Sequence, residues 1–193
     1  LPDELRDAWS PDDLYMLCTG GTTGLPKGVL WRQADIFVGA LGGRQPSGEE
    51  WPSLDALLDV AENGGTKLMP APPFMHGAAH WMAFNGFAGG NTIVIPDVVE
   101  RFDPADTLRA VEQYGVNILL VVGDAFGRPL VEEIERGGHD TGSLLALVSG
   151  GAALSAGVKE RLLAAIPTMM ILDGLGASET GTQAYQQLQD RYS

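Results

Sequence analysis

The apolar positions of this chain change rhythm several times, and each change marks an element. Leu14-Tyr-Met-Leu-Cys18 is an apolar run of strand length that feeds a glycine-rich bend, with Cys18 expected as a small buried residue at the strand end. Trp9 is a candidate aromatic anchor before it. From Trp31 to Leu41 the apolar residues Ile36, Phe37, Ala40 and Leu41 fall at helical spacing, and Gly42-Gly43 stops the run. Leu54 to Val60 reads as one or two helical turns within a Pro- and Gly-rich surface excursion. Lys67–Ala71 reads as a strand ended by Pro72-Pro73, and Ala78 to Phe87 is apolar all round, which predicts a buried helix. Asn91–Pro96 is strand-like, and Pro104–Tyr114 has helical spacing with Asp103 as its cap. Val116–Val122, Leu144–Val148 and Met169–Leu172 are short continuous apolar runs, separated by helices from Phe126 to Arg136 and from a Ser155 cap to Ala165. Strands apolar on both faces and alternating with helices predict an α/β fold, a mostly parallel sheet with helices on both faces. Ligands of such sheets collect beyond the carboxyl ends of the strands, here after Cys18, Ala71, Val122, Val148 and Leu172.

Composition narrows the ligand. A 45% hydrophobic content suits a packed core, and 193 residues suffice for one large domain or a lobe of a larger one. With 12 basic against 25 acidic side chains, the net charge of −13 argues against nucleic acid or an anionic membrane surface as partner. An anionic ligand must then be held by local dipoles and individual cations. The lone Cys18 precludes an internal disulfide and suits a reducing, cytoplasmic setting, and no transmembrane run is visible.

The string Leu17-Cys-Thr-Gly-Gly-Thr-Thr-Gly-Leu-Pro-Lys-Gly-Val29 concentrates the means to hold an anion. Gly20, Gly21 and Gly24 let backbone N–H groups converge, Thr19, Thr22 and Thr23 add hydroxyls, and Lys27 adds a mobile charge. It is not a Walker A loop, because Pro26 precedes the lysine and Gly28 follows it. The string closely resembles the phosphate-binding loop of the AMP-forming acyl-CoA synthetases, the adenylate-forming superfamily, with Gly20 where that loop usually has Ser.

Further strings follow in the order of that family. Asp173-Gly-Leu-Gly-Ala-Ser-Glu-Thr-Gly181 places a carboxylate among hydroxyls after a strand, a set suited to a hard cation bridged to phosphate. It resembles the adenine and magnesium motif Tyr-Gly-x-Thr-Glu. By that resemblance Glu179 ligates magnesium, Ser178 contacts the α-phosphate, Asp173 and Gly174 lie near the adenine amino group, Leu175 stands where an aromatic ring normally packs on adenine, and Gly176 matches the motif's glycine. Ser149-Gly-Gly-Ala-Ala-Leu154 resembles the family's Gly-Gly-Ala-Pro-Leu turn, implying that Gly150, Gly151 and Ala152 line the adenine edge and acyl pocket, with Ala153 at the usual Pro. Pro72-Pro-Phe-Met-His76 matches a Pro-x-x-His element, which places His76 near the carboxylate being activated. The segment Gly77-Ala-Ala-His80-Trp81-Met-Ala-Phe84, which combines small residues with large rings, could line an acyl tunnel or fill a core, and Gly123-Asp124 resembles another tunnel-lining turn. His76 and His80 also have zinc-helix spacing, but no Glu follows His76, so the metalloprotease motif fails. Neither a Gly-x-Ser-x-Gly elbow nor a Gly-x-Gly-x-x-Gly turn occurs.

The resemblance, closest to bacterial fatty-acyl-CoA ligases, implies a two-step reaction in the parent enzyme. A carboxylic acid, ATP with Mg2+ and then coenzyme A give acyl-AMP and then the thioester, with Lys27, Glu179 and His76 carrying the chemistry. Residues 1–193 are expected to be a partial AMP-binding domain, the middle of the large N-terminal domain without the C-terminal domain, and inactive alone. The alternatives are a non-ligase nucleotide- or phosphate-binding module and a noncatalytic remnant of a ligase.

Overall fold

The computed structural model describes residues 8–20 and 27–188, with the side chains of 182–188 outside that description. Six strands form one sheet: β3 (Lys67–Pro70), β4 (Thr92–Ile93), β5 (Ile118–Val121), β6 (Ala146–Gly150), β7 (Met170–Ala177) and β8 (Gly181–Leu188). Their order is β4-β3-β5-β6-β7-β8, parallel throughout except for β8, which runs antiparallel to β7. The chain steps from β3 outward to β4, then returns past β3 to β5. With right-handed crossovers this reversal sends the connecting helices to opposite faces. Helix α3 (Gly77–Ala88) accordingly packs on one face, where a Cβ at Gly86 would collide with Leu68 and Ile93. Helices α4 (Pro104–Tyr114), α5 (Gly123–Arg136) and α6 (Ala156–Ala165) cover the other. There Met69, Leu119, Leu147 and Ile171 meet Leu108, Leu130 and Leu162, all fully buried. Each such side chain contributes about 1.5–3 kcal/mol by leaving water.

The helix ends follow local chemistry. Asp103 accepts the Asp106 N–H at 3.1 Å, Pro104 takes the first helical position, and α4 ends at Gly115 with φ +65°. Ser155 occupies the N-cap position of α6, yet its hydroxyl makes no capping bond, correcting the expected role. The short helical excursion becomes α2 (Leu54–Glu62), capped by Ser53. The Asn91–Pro96 strand shortens to Thr92–Ile93, because Pro96 has no N–H and β4 is a sheet edge.

Four expectations about the first third are corrected. The chain after the glycine-rich bend returns as a strand, β2 (Lys27–Arg32), paired antiparallel with β1 (Leu14–Thr19), and helix α1 begins only at Gln33 (Gln33–Ala40). This hairpin is separate from the main sheet, so the bend is not at one of its carboxyl ends. Strand alternation turns Leu17 inward and leaves Cys18 exposed beside Met16, so the cysteine is not buried. Trp9 is 64% exposed, so it is not a buried anchor among the described residues. Helix α3 also buries only its small face, Ala79, Ala83 and Gly86, and leaves Phe84 and Phe87 exposed. Small residues let the helix sit close to the sheet, so its large rings point away.

Candidate functional site

The carboxyl ends of β5, β6 and β7 lie side by side, and the expected turns join there. Gly150 pairs with Gly174 and Ser149 with Asp173 across β6 and β7. The two facing glycines leave the end of the sheet without side chains on one face. Gly151 turns the chain away at φ +80°, a conformation that favours glycine. Asp173–Ala177 is not a loop, as the sequence suggested, but the continuation of β7. All five of its positions pair with β8, which holds it extended. Leu175 is 65% exposed on this extension, and Ala152 is exposed on the neighbouring turn. Asp173 is ion-paired to Lys159 of α6, a partner that nothing in the linear sequence signals.

The β5–α5 turn is fastened to the β6–α6 turn. The Gly123 N–H donates to the buried Ser149 hydroxyl at 3.3 Å, and the Asp124 N–H to the Ala153 carbonyl at 3.2 Å. A Cβ at Gly123 would lie 2.7 Å from that carbonyl, and its φ of +54° also demands glycine. The Asp124 carboxylate accepts the Ser155 N–H at 2.7 Å and Arg128 at 2.5 Å. The Ser155 N–H, helped by the Ser155 hydroxyl and by Arg128, holds this carboxyl below the usual range. Asp124 therefore joins the starts of two helices, and both its oxygens are engaged.

On the opposite face, β3 leads through Pro72-Pro73 to His76, which is exposed at the N-cap of α3. His80, one turn on, is sandwiched: Phe84 stacks on it with centroids 4.7 Å apart and Tyr15 of β1 approaches edge-on at 5.4 Å. The Tyr15 hydroxyl and Trp81 indole N–H nearby are buried and find no hydrogen-bond partner among the described residues. Among the described residues no group of three or more His, Cys, Asp and Glu could hold a metal ion, so His76 and His80 do not form a zinc centre there.

The hairpin bridges these two regions. A Cβ at Gly77 would meet Leu17 at 2.9 Å on one side; on the other, the Trp31 indole donates to the Ser178 carbonyl at 2.8 Å. Gly181 lies against the Gly39 carbonyl of α1, where a Cβ would come to 2.7 Å. Thr19 and Lys27 form the last hairpin pair, with the Thr19 hydroxyl 3.5 Å from the Lys27 carbonyl. Lys27 shares a strand face with Trp31, about 13 Å away along β2, and Glu179 is exposed in the turn beside Ser178. Gly21, Thr22, Thr23 and Gly24 lie outside the described residues. A cleft of about 510 Å³ between α1 and this turn is lined by Trp31, Arg44, Thr180 and the acidic Asp35 and Glu50, a poor lining for an anion.

A family model described as AMP-binding enzyme matches residues 2–193. The chain belongs to that family. It is 49% identical over 177 residues to medium-chain acyl-CoA ligase Mig of Mycobacterium avium, covering 91% of this chain and 32% of that one. It is 38% identical over 181 residues to 3-oxocholest-4-en-26-oate–CoA ligase of Rhodococcus rhodochrous, covering 89% and 32%. The AMP-binding chain thus spans about a third of the length of these relatives. Its fold matches holo-PA1221, a protein containing adenylation and PCP domains, with TM-score 0.70 at 22% identity, covering 94% of this chain and 29% of that one. It also matches the N-terminal domain of FACL13 from Mycobacterium tuberculosis, with TM-score 0.65 at 20% identity, covering 87% and 38%. Among the described residues no helix is long and apolar enough to cross a membrane.

Proposed function

We propose that this chain is the nucleotide- and acid-binding part of an acyl-CoA ligase that converts a carboxylic acid, ATP and coenzyme A to acyl-CoA through acyl-AMP. The observation that carries the reading is the Trp31–Ser178 bond. It ties the strand that begins with Lys27 to the turn that contains Glu179, although 147 residues separate the bonded pair. A triphosphate seated between the Thr19–Lys27 end of the hairpin and that turn meets a lysine ammonium and hydroxyl and backbone donors. Glu179 is suited to the magnesium that arrives with ATP, since that ion keeps several waters and needs only one or two carboxylates beside phosphate. Adenine would lie against Gly150, Gly151 and Ala152, opposite Leu175 and beside Asp173 and Gly174, with Ser178 toward the α-phosphate. His76 would face the acid's carboxylate, and His80 and Trp81 would line its chain. The engaged carboxylate of Asp124 suits a supporting role better than direct substrate contact.

The chemistry is in-line attack of the carboxylate oxygen on the α-phosphorus, with pyrophosphate leaving. The thiolate of coenzyme A then attacks the acyl carbonyl and AMP leaves. Lys27 would offset charge growing on the leaving pyrophosphate, where positioned charges are most effective. The mycobacterial and rhodococcal relatives are named for medium-chain and sterol side-chain acids, so the substrate proposed is an apolar carboxylic acid of that kind.

Acid-dependent pyrophosphate exchange in the full-length protein is the test. Lys27→Ala and Glu179→Gln should each lower exchange about a hundredfold or more, the scale of removing one transition-state charge partner. Wild-type rates in both variants would remove these residues from the mechanism. Phosphate transfer from ATP without pyrophosphate release would favour a kinase-like module instead.

A further inference from the structure

The turn that carries Glu179 is a three-residue β-hairpin loop, and a contact from outside the β7–β8 ladder sets its geometry. Ala177 and Gly181 are the last cross-strand pair, and the Thr180 N–H donates to the Ala177 carbonyl at 3.0 Å. Ser178 and Glu179 are therefore the two central residues of a β-turn. Gly181 follows at φ +70°, the left-handed glycine that such three-residue loops favour. The peptide joining Ser178 to Glu179 is the freest part of the turn, because it can rotate about its two flanking bonds while the ends stay in place. Its orientation sets φ of Glu179, and with it the direction of the Glu179 Cα–Cβ bond. No described non-glycine residue has positive φ, so Glu179 is not in the type II setting of that rotation. The Trp31 indole N–H donates at 2.8 Å to the oxygen of this same peptide. The indole is itself backed by α1: a Cβ at Gly39 would lie 3.7 Å from its ring, and the Gly39 carbonyl abuts Gly181.

We propose that Trp31 is a positioning residue: by pinning the Ser178–Glu179 peptide it fixes the direction in which the Glu179 carboxylate meets the magnesium that arrives with ATP. This rests on the nucleotide site of the proposed function. An indole N–H donates and cannot accept, so the bond favours the one setting of the turn that aims the Ser178 carbonyl at β2. Phenylalanine in its place keeps an aromatic ring and removes the donor, which leaves the peptide free to rock. Direction matters for a carboxylate that serves magnesium, because that ion demands near-octahedral geometry. Groups that orient a metal ligand from behind are typically worth about ten- to a hundredfold in metal affinity. Lys27 stands at the other end of β2 and does not depend on the turn, so contacts to the phosphates that need no metal survive the change.

The experiment measures ATP binding by calorimetry, with magnesium and with EDTA, on the full-length protein and its Trp31→Phe variant. Hydrogen–deuterium exchange of the peptide spanning residues 177–181 is followed beside it. In Trp31→Phe the amides of that turn should exchange faster, and the gain in ATP affinity from magnesium should fall about tenfold. Affinity without magnesium should stay unchanged. In a Glu179→Gln background the same substitution should lower the gain no further, because it acts through that carboxylate. A merely structural role would lower both affinities alike, so an equal loss overturns the proposal, as does an additive loss beside Glu179→Gln. Unchanged exchange, or a magnesium gain kept in Trp31→Phe, overturns it while leaving the ligase reading in place. Should magnesium give the wild-type protein no gain at all, the metal site of the ligase reading fails, and the role of Trp31 falls with it. Should Trp31→Phe not fold, replacing the indole of Trp31 by benzothiophene keeps the fused ring and removes only the N–H, and the same readouts decide.

Discussion

Gly20 is the one position of the phosphate-loop string that departs from the usual serine, and the surroundings of the residue leave room for a return. Among the described residues a Cβ there meets nothing within 4 Å, and its φ is not positive. Gly20→Ser should therefore fold normally and offer one further hydroxyl donor near the proposed phosphates. A hydrogen bond of about 1 kcal/mol corresponds to roughly a fivefold lower KM for ATP; initial-rate kinetics would measure it, and an unchanged KM would place that hydroxyl out of reach of the nucleotide. Gly151 and Gly123 differ from Gly20, because positive φ at both and contacts under 3 Å at Gly123 exclude a side chain. The three glycines look alike in the sequence. Only backbone conformation separates those required by a turn from one that merely leaves a space.

At the level of elements, the starts of α5 and α6 are joined through Asp124, which accepts the Ser155 N–H and Arg128 together. Asp124→Ala should lower both the melting temperature and kcat/KM for the acid, because the Ser149–Leu154 turn loses its fastening. Asp124→Asn, which keeps an acceptor for Ser155, should recover most of each. The sign of the pH dependence follows from the lowered folded pKa of this carboxyl. Its stabilisation is complete above the unfolded value, about 3.9, and is lost as pH falls through the lower folded value. The melting-temperature gap between wild type and Asp124→Asn should therefore be present at neutral pH and close in acid; a gap independent of pH would show that the charge is not what matters. The helices of this region were legible from apolar spacing and from the Asp103-Pro104 start. Strand β2 was not, because Lys27-Gly-Val-Leu-Trp-Arg32 alternates only weakly and becomes a strand by pairing with β1. The extension of β7 was hidden likewise: Gly174 and Gly176 read as a turn until β8 supplies the ladder.

For the whole molecule, the decisive arrangement is one sheet with a separate hairpin that meets α3 on one side and the β7–β8 turn on the other. The chain covers about a third of its curated relatives, and large apolar residues such as Leu14, Met16 and Leu30 stay exposed on the outer face of the hairpin. The 193-residue chain alone is expected to give no measurable acyl-AMP from an apolar acid and ATP, as read by chromatography of the reaction mixture; robust thioester formation by it would overturn that expectation. The sequence by itself determined the α/β class, because fully apolar strands alternating with helices can be buried only in a parallel sheet covered on both sides. It also determined the family, because its glycine, threonine and lysine strings carry enough specific residues in order. Tertiary structure alone decided that Asp124 faces Ser155, that Lys159 faces Asp173 and that Trp31 reaches Ser178. Such contacts depend on how strands register and helices pack across 14 to 147 residues, and no local pattern of side chains encodes that distance.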